Sequence, residues 1–199
     1  MTGSTLQAPQ SFHPHYGFND NYKYPVWLKQ EVWRAMRAKE RAAYLLGVFK
    51  AIGEELDTRA IKDEEEFERR LRIQKIVYLL QGHPEFRRYL DFYFSMYFHG
   101  PYSTELAFVY YNELDRVTPA EVSLSKKALD YAAEITDMST DDLELLATLA
   151  ETIRVNRGRV EDKEIIQIVH QLKPLFPLEK IAELLKRLKY LKEKYGLRW

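Results

Sequence analysis

Residues 94–106 read FSMYFHGPYSTEL, and they hold a strand pattern, a chain break and a helix start in close succession. Over residues 91–99, aromatic and other apolar side chains recur with a period of two, which is typical of a β-strand. Gly100 and Pro101 interrupt this pattern and predict the end of the strand. Ser103 is a favourable N-cap, so a helix is expected to begin beside it. Because the strand is aromatic on both faces, we expect helices to cover at least one of them.

Most of the remaining chain predicts amphipathic helices, because apolar residues recur at every third or fourth position. The segments with this pattern are residues 27–56, 62–81, 104–116, 126–136, 140–157, 162–173 and 178–195. A second short strand is expected over residues 121–124. The predicted fold is therefore mainly α with a small β element (α+β), with about seven helices and one or two short strands. Residues 1–25 lack periodicity and predict an N-terminal arm, and residues 26–199 predict a single mainly helical domain.

Serine and glycine residues mark several of the predicted helix ends. Ser125 and Ser139 stand where N-caps are expected. Gly158 and Gly196 stand where C-terminal caps are expected. Near the predicted helix ends, we expect the core to include the side chains of Tyr111, Leu172 and Leu178.

The composition excludes several classes of protein. The 199 residues carry 30 basic and 30 acidic side chains, so there is no overall field that would attract nucleic acid or an anionic membrane. The absence of cysteine excludes disulfides and thiolate nucleophiles. No run approaches the roughly 18 apolar residues of a membrane span, and the N-terminus lacks the pattern of a secretory signal. We therefore expect a cytoplasmic protein with no membrane partner; its many mixed charges would suit a thermophile.

Familiar catalytic and cofactor motifs are absent from the sequence, including the phosphate-binding, dinucleotide-binding, zinc-protease and nucleophile-elbow patterns. His13 and His15 lack a third ligand in register, so we expect no metal and no cofactor. A hydrolase is the least favoured alternative, with His99 as base, Ser103 as nucleophile and Glu105 as orienting carboxylate. Because the members of such triads normally come from separate segments, we assign no catalytic residue and expect no enzyme activity.

Two segments resemble a known family. LRIQKIVYLLQG, residues 71–82, is similar to a helix of the YwgA-like proteins, which lie near the Panacea (SocA-like antitoxin) domains. FSMYFHGPYSTEL is similar to the turn that carries GPYS in the same proteins. The residues that match are Gln74, Lys75, Tyr78, Gly100, Pro101, Tyr102, Ser103 and Leu106. The resemblance covers about residues 63–190.

The resemblance implies an antitoxin-like or adaptor-like role, with no cofactor and no established catalytic residue. His99 stands where the YwgA-like proteins more often have tyrosine, which weakens the hydrolase alternative. VSLSKKALDYA, residues 122–132, is also similar to part of a winged helix, so a winged-helix-like centre is an alternative. Ala128 replaces a glycine of that motif, which is a departure from the pattern.

Two functions remain as hypotheses. The first is a regulatory module that binds another protein, or a second copy of itself as a dimer, through tyrosines near residues 97–111 and through Arg87 and Arg88. The second is a regulator that binds nucleic acid through the helix after Ser103 or through the basic last helix. The basic residues of that last helix are Lys186, Arg187, Lys189, Lys192 and Lys194.

Overall fold

A computed structural model describes residues 26–56, 66–157 and 159–199, with side chains from residue 37 onward. Within these ranges there are eight α-helices and one two-stranded antiparallel sheet, which confirms a mainly α fold with a small β element. The helices are α1 Val26–Ala51, α2 Phe67–Leu80, α3 Pro84–Arg87, α4 Thr104–Asn112, α5 Lys126–Thr136, α6 Thr140–Val155, α7 Asp162–Leu172 and α8 Leu178–Tyr195. The strands are β1 Ser95–Tyr97 and β2 Gly100–Tyr102. The predicted arm with His13 and His15, most of the acidic start of α2, and Gly158 lie outside the described residues.

Helix α6 is the centre of the fold. Residues 143–152 are buried without interruption, so this helix is covered on all sides. It contacts α2, α7, α8 and strand β2, while α1 packs against α4 and α5 packs against α2 and α8. Consequently every polar side chain in the middle of α6 must find its partners inside the protein.

Three serine caps confirm the predicted starts of α4, α5 and α6, and one glycine cap confirms the predicted end of α8. The hydroxyl oxygens of Ser103, Ser125 and Ser139 each accept a hydrogen bond from the backbone N–H three residues further on, at 3.1–3.2 Å. Gly196 ends α8 in the left-handed conformation, with φ of 70°. These local signals could be interpreted from the sequence because each depends on residues within one helical turn.

The prediction of a strand over residues 91–99 ended by Gly100 and Pro101 is wrong in two respects. The strand is confined to Ser95–Tyr97, and the predicted break is itself the second strand, which pairs Tyr97 with Gly100. Gly100 has a φ of +79°, a value that a residue with a side chain rarely adopts, and the chain therefore reverses rather than stopping. Pro101 is tolerated in a strand here because the sheet has only two strands and both are edges.

The second strand predicted over residues 121–124 does not form, so the strand that a winged-helix-like centre would need there is missing. The N–H of Ala120 instead donates to the carbonyl of Ala43 on α1, at 2.9 Å. The hydroxyl of Tyr89 donates to the carbonyl of Ser123, at 3.3 Å. This stretch is thus held by hydrogen bonds to α1 and to Tyr89, just after α3, and no strand among the described residues pairs with it.

Several helix boundaries and faces also differ from the predictions. Helix α1 ends at Ala51, and α4 ends at Asn112 and is followed by a 3₁₀ turn, Leu114–Arg116. Leu172 and Leu178 are exposed because they are the last residue of α7 and the first of α8, where neighbouring turns no longer cover a side chain. Tyr111 is exposed as well. None of the helices in the described ranges has both the length and the apolar character needed to cross a membrane.

Candidate functional site: a hairpin anchored by two lysines

Strands β1 and β2 form a hairpin that is closed by a two-residue turn, Phe98 and His99. Strand β2 packs against α2 and α6, which places the backbone of the hairpin against the centre of the fold. At Gly100 a Cβ atom would lie 2.6 Å from Oγ1 of Thr148 on α6. Only glycine therefore allows the hairpin to approach α6 this closely.

Two lysines from the protein interior hold the backbone of the hairpin. The Nζ of Lys75 on α2 donates to the carbonyl of Pro101 at 2.7 Å, and the Nζ of Lys173 donates to the carbonyl of Phe98 at 2.8 Å. Lys75 is only 1% exposed and Lys173 is also buried. Lysine is almost never fully buried without a partner. Because both buried amines bind carbonyls of the hairpin, these two residues restrain the turn.

A single carboxylate lies beside these two lysines. Glu144 on α6 forms an ion pair with Lys173, and its Oε2 lies 3.4 Å from Nδ1 of His99 in the turn. Burial lowers the pKa of Lys75 to about 7, while the charge of Glu144 opposes this change and that of Lys173 adds to it. A single carboxylate thus lies near two lysines and a histidine, and the pKa of Lys75 is close to neutral pH.

Gln74, the residue before Lys75, fixes the end of the hairpin. Its amide donates to the carbonyl of Ser103 at 3.0 Å and accepts from the N–H of Ser103 at 2.9 Å. These two bonds resemble the pairing of one further strand, because both backbone groups of a single residue are satisfied at once. Helix α2 therefore supplies side chains where another strand would otherwise lie.

The third matching residue of α2, Tyr78, binds a separate ion pair. Its hydroxyl donates to Oε2 of Glu151 at 2.9 Å, and Arg154 forms two bonds of 2.6 Å with the same carboxylate. Burial and the charge of Glu151 raise the pKa of Tyr78 well above its ordinary value. Tyr78 consequently acts as a neutral donor that ties α2 to α6.

The residues of the hydrolase alternative are each engaged with different partners. The side chain of Ser103 is completely buried, and its hydroxyl accepts from the N–H of Leu106. His99 contacts Glu144, and Glu105 pairs with Arg41 at 2.9 Å. This arrangement offers no support for a nucleophile and base that act together. Nor do the described residues contain three histidine, aspartate or glutamate side chains placed to hold a metal ion.

We expect Ser103→Ala to lower the free energy of unfolding by about 1 kcal/mol, because α4 loses its N-cap. Ser139→Ala, which removes the equivalent cap of α6, is the matched control. Urea denaturation at neutral pH measures both changes. A Ser103→Ala variant that keeps full stability but loses a hydrolytic activity would contradict the structural role.

The side chains on the outside of the hairpin are aromatic and exposed. Phe98 is 84% exposed, Tyr97 is 69% exposed, and Tyr93 just before β1 is 76% exposed. We call these three residues the hairpin aromatic surface. The ring of His99 lies 5.5 Å from that of Phe98 and 5.2 Å from that of Phe67, which extends the surface towards α2. The hairpin therefore combines a backbone that is held by two lysines with aromatic rings that are exposed.

The basic residues predicted to contact a partner lie outside the hairpin, and several of them already bind other groups of this chain. The guanidinium of Arg87 donates to the carbonyls of Gln81 and Arg198, and Arg88 is exposed at the end of α3. On α8, Arg187 and Lys194 both pair with Glu134 of α5. Lys189 pairs with Asp162 at 2.5 Å, while Lys186 and Lys192 are exposed.

All eight residues that match the family motif are brought together around the hairpin or directly behind it. Those on α2 bind the hairpin or α6, and those after Phe98 form strand β2 and the start of α4. Leu106 is buried, and Tyr102 is half-buried with its ring 5.8 Å from that of Tyr97. The role of Tyr102, core or surface, is thus intermediate.

Sequence reasoning missed the partners on α6 and beyond it, above all Glu144 and Lys173. A signal was present, because Glu144, Thr148 and Glu151 are spaced i, i+4 and i+7 and form a polar stripe on a helix that is otherwise largely apolar. Such a stripe is ordinary on a surface helix. It becomes informative only once α6 is known to be buried on all sides.

Comparisons with family models, curated proteins and solved structures find no match for this chain. The functional interpretation therefore depends on the geometry of the site.

Proposed function

We propose that this protein is a regulatory module that binds another protein through the hairpin aromatic surface, in the manner of an antitoxin or an adaptor, without a catalytic step. The observation that carries the proposal is the 84% exposure of Phe98 on a turn whose carbonyl is held by Lys173. The resemblance to YwgA-like and Panacea domains agrees with this function.

Rigid presentation of aromatic rings favours protein binding. Aromatic side chains contribute a large share of binding energy at interfaces. Affinity also rises when a surface is already ordered before binding, because less conformational entropy is lost. The bonds from Lys75 and Lys173 to the hairpin carbonyls provide that order.

Binding to nucleic acid has weaker support from the distribution of charge. Arg187, Lys189 and Lys194 already pair with carboxylates of this chain, so phosphate contacts would have to compete with those pairs. The net charge of zero adds no long-range attraction.

The test is affinity capture from a native lysate, with and without nuclease, using the full chain and two variants. Phe98→Ser removes the most exposed ring of the surface, and Leu175→Ser removes a 94% exposed apolar side chain between α7 and α8 as the matched control. Both variants should keep the stability of the parent within about 0.5 kcal/mol, because exposed substitutions away from structural contacts have small effects.

We expect a nuclease-resistant protein partner that is retained by Leu175→Ser and reduced at least tenfold by Phe98→Ser. Capture that disappears with nuclease would instead support nucleic-acid binding. A partner held equally by all three chains would contradict the role of the hairpin. Sedimentation of the purified chain separates self-association from binding to a different protein.

A further inference from the structure

A small cavity lies between α2, the hairpin and α4. Its volume is about 230 Å³, and it is partly enclosed. Aromatic side chains dominate its wall, and Gln74, Lys75 and Arg70 supply the polar groups. A volume just below the roughly 300–1,000 Å³ of sites for drug-sized ligands suits a compound with a single ring.

Four tyrosine rings contribute to the wall of the cavity. Tyr97 and Tyr102 line the cavity with ring centroids 5.8 Å apart, and Tyr110 and Tyr111 line it with centroids 4.8 Å apart. Tyrosine faces bind planar rings by stacking or edge contacts. The same faces could also attract a quaternary ammonium ion, so the charge of the site must decide between ligands.

The charge of the site favours an anion. No aspartate or glutamate is among the described residues that line the cavity, whereas Lys75 is. The nearby carboxylate, Glu144, already pairs with Lys173 and contacts His99. The protonated amine of Lys75 has three donors, and the carbonyl of Pro101 takes one of them.

We propose that this cavity binds a small aromatic carboxylate of about the size of benzoate, with its ring among the tyrosines and its carboxylate paired with Lys75. The ligand would supply the negative charge that the lysine cluster lacks. The cavity shares Tyr97 with the hairpin aromatic surface, but Phe98, on which the protein-binding test depends, does not line it, so the two proposals can fail separately.

Binding should depend on pH through Lys75. Since burial lowers the pKa of this amine to about 7, the protonated fraction of Lys75 falls between pH 6.5 and pH 9. Charged or titratable groups around it are Glu144 on α6, Lys173 after α7, His99 in the turn, Tyr110 on α4 and Arg70 on α2. A His99→Gln variant separates the contribution of Lys75 from that of the histidine in the turn.

The experiment is a chemical-shift titration of the full chain with benzoate. Benzamide is the control that has the ring but no charge, and acetate is the control that has the carboxylate but no ring. We expect saturable benzoate binding at pH 6.5 with shifts at the Gly100 amide, and binding at least tenfold weaker for benzamide and for acetate. Benzoate affinity should fall at least tenfold at pH 9, and His99→Gln should keep most of that fall.

Two variants locate the site. Tyr111→Ala removes a half-exposed wall residue and should weaken benzoate at least threefold, while Tyr190→Ala on α8 should leave it unchanged. Lys75→Met, if it folds, should abolish the preference for benzoate over benzamide. Equal binding of benzoate and benzamide, no saturation at millimolar concentrations, or no response to Tyr111→Ala would each overturn the proposal.

Discussion

Glu144→Gln is expected to lower the free energy of unfolding by about 3–5 kcal/mol, because it leaves a buried lysine without its carboxylate. Glutamine keeps the size and one acceptor oxygen of glutamate, so the change removes mainly the charge. Lys173 loses its ion pair and Lys75 loses the charge that opposes the lowering of its pKa. The pKa of Lys75 should therefore fall further.

Urea denaturation at pH 7 measures this effect against Asp162→Asn. That control removes the carboxylate of an exposed pair with Lys189, which should cost less than about 1 kcal/mol. A second test adds Lys173→Met to Glu144→Gln, and we expect part of the lost stability to return because no unpaired charge remains at that position. A Glu144→Gln variant as stable as the control would show that the cluster is not a significant restraint.

Gly100→Ala should destabilise the protein by about 3 kcal/mol through two separate causes. The first is the positive φ of +79°, which costs an L-residue roughly 1–2 kcal/mol. The second is the new Cβ, which would lie 2.6 Å from Oγ1 of Thr148 and force the packing apart at a cost of about 1–3 kcal/mol. The hydroxyl of Thr148 is itself held by the carbonyl of Glu144 at 2.7 Å, so it cannot move away without losing that bond.

Gly196→Ala separates these two causes. Gly196 has a φ of +70°, but nothing lies within 4 Å of an added Cβ, so only the cost of the backbone conformation applies. Adding Thr148→Ala to Gly100→Ala should relieve the steric part alone. Thermal or urea unfolding of these variants is the measurement, and equal losses at positions 100 and 196 would exclude the close packing of the hairpin on α6.

If the hairpin is the binding surface, its stability and its function are linked. Glu144→Gln and Gly100→Ala both act on the side of the hairpin that faces the core, whereas Phe98→Ser acts on the exposed side. Glu144→Gln and Gly100→Ala should weaken partner binding by loosening the turn. Phe98→Ser should weaken partner binding without changing the stability of the protein. Comparing the two classes distinguishes loss of order from loss of contact.

The cavity adds a possible means of control, because β2 forms part of both its wall and the hairpin. Lys75 and Gly100 line the cavity, and Lys75 also holds the carbonyl of Pro101. A bound carboxylate would favour the charged form of Lys75 and so strengthen that hydrogen bond.

The sequence alone determined most of the helices and their serine and glycine caps, because these depend on periodicity and on residues within a few positions of one another. The tertiary structure alone decided that Gly100 and Pro101 form a strand and that residues 121–124 do not, since strand pairing depends on neighbours distant in the chain. It likewise decided the partners of Lys75. Glu144 and Lys173 lie 29 residues apart in the sequence that follows the hairpin, and only packing around α6 brings their charges together.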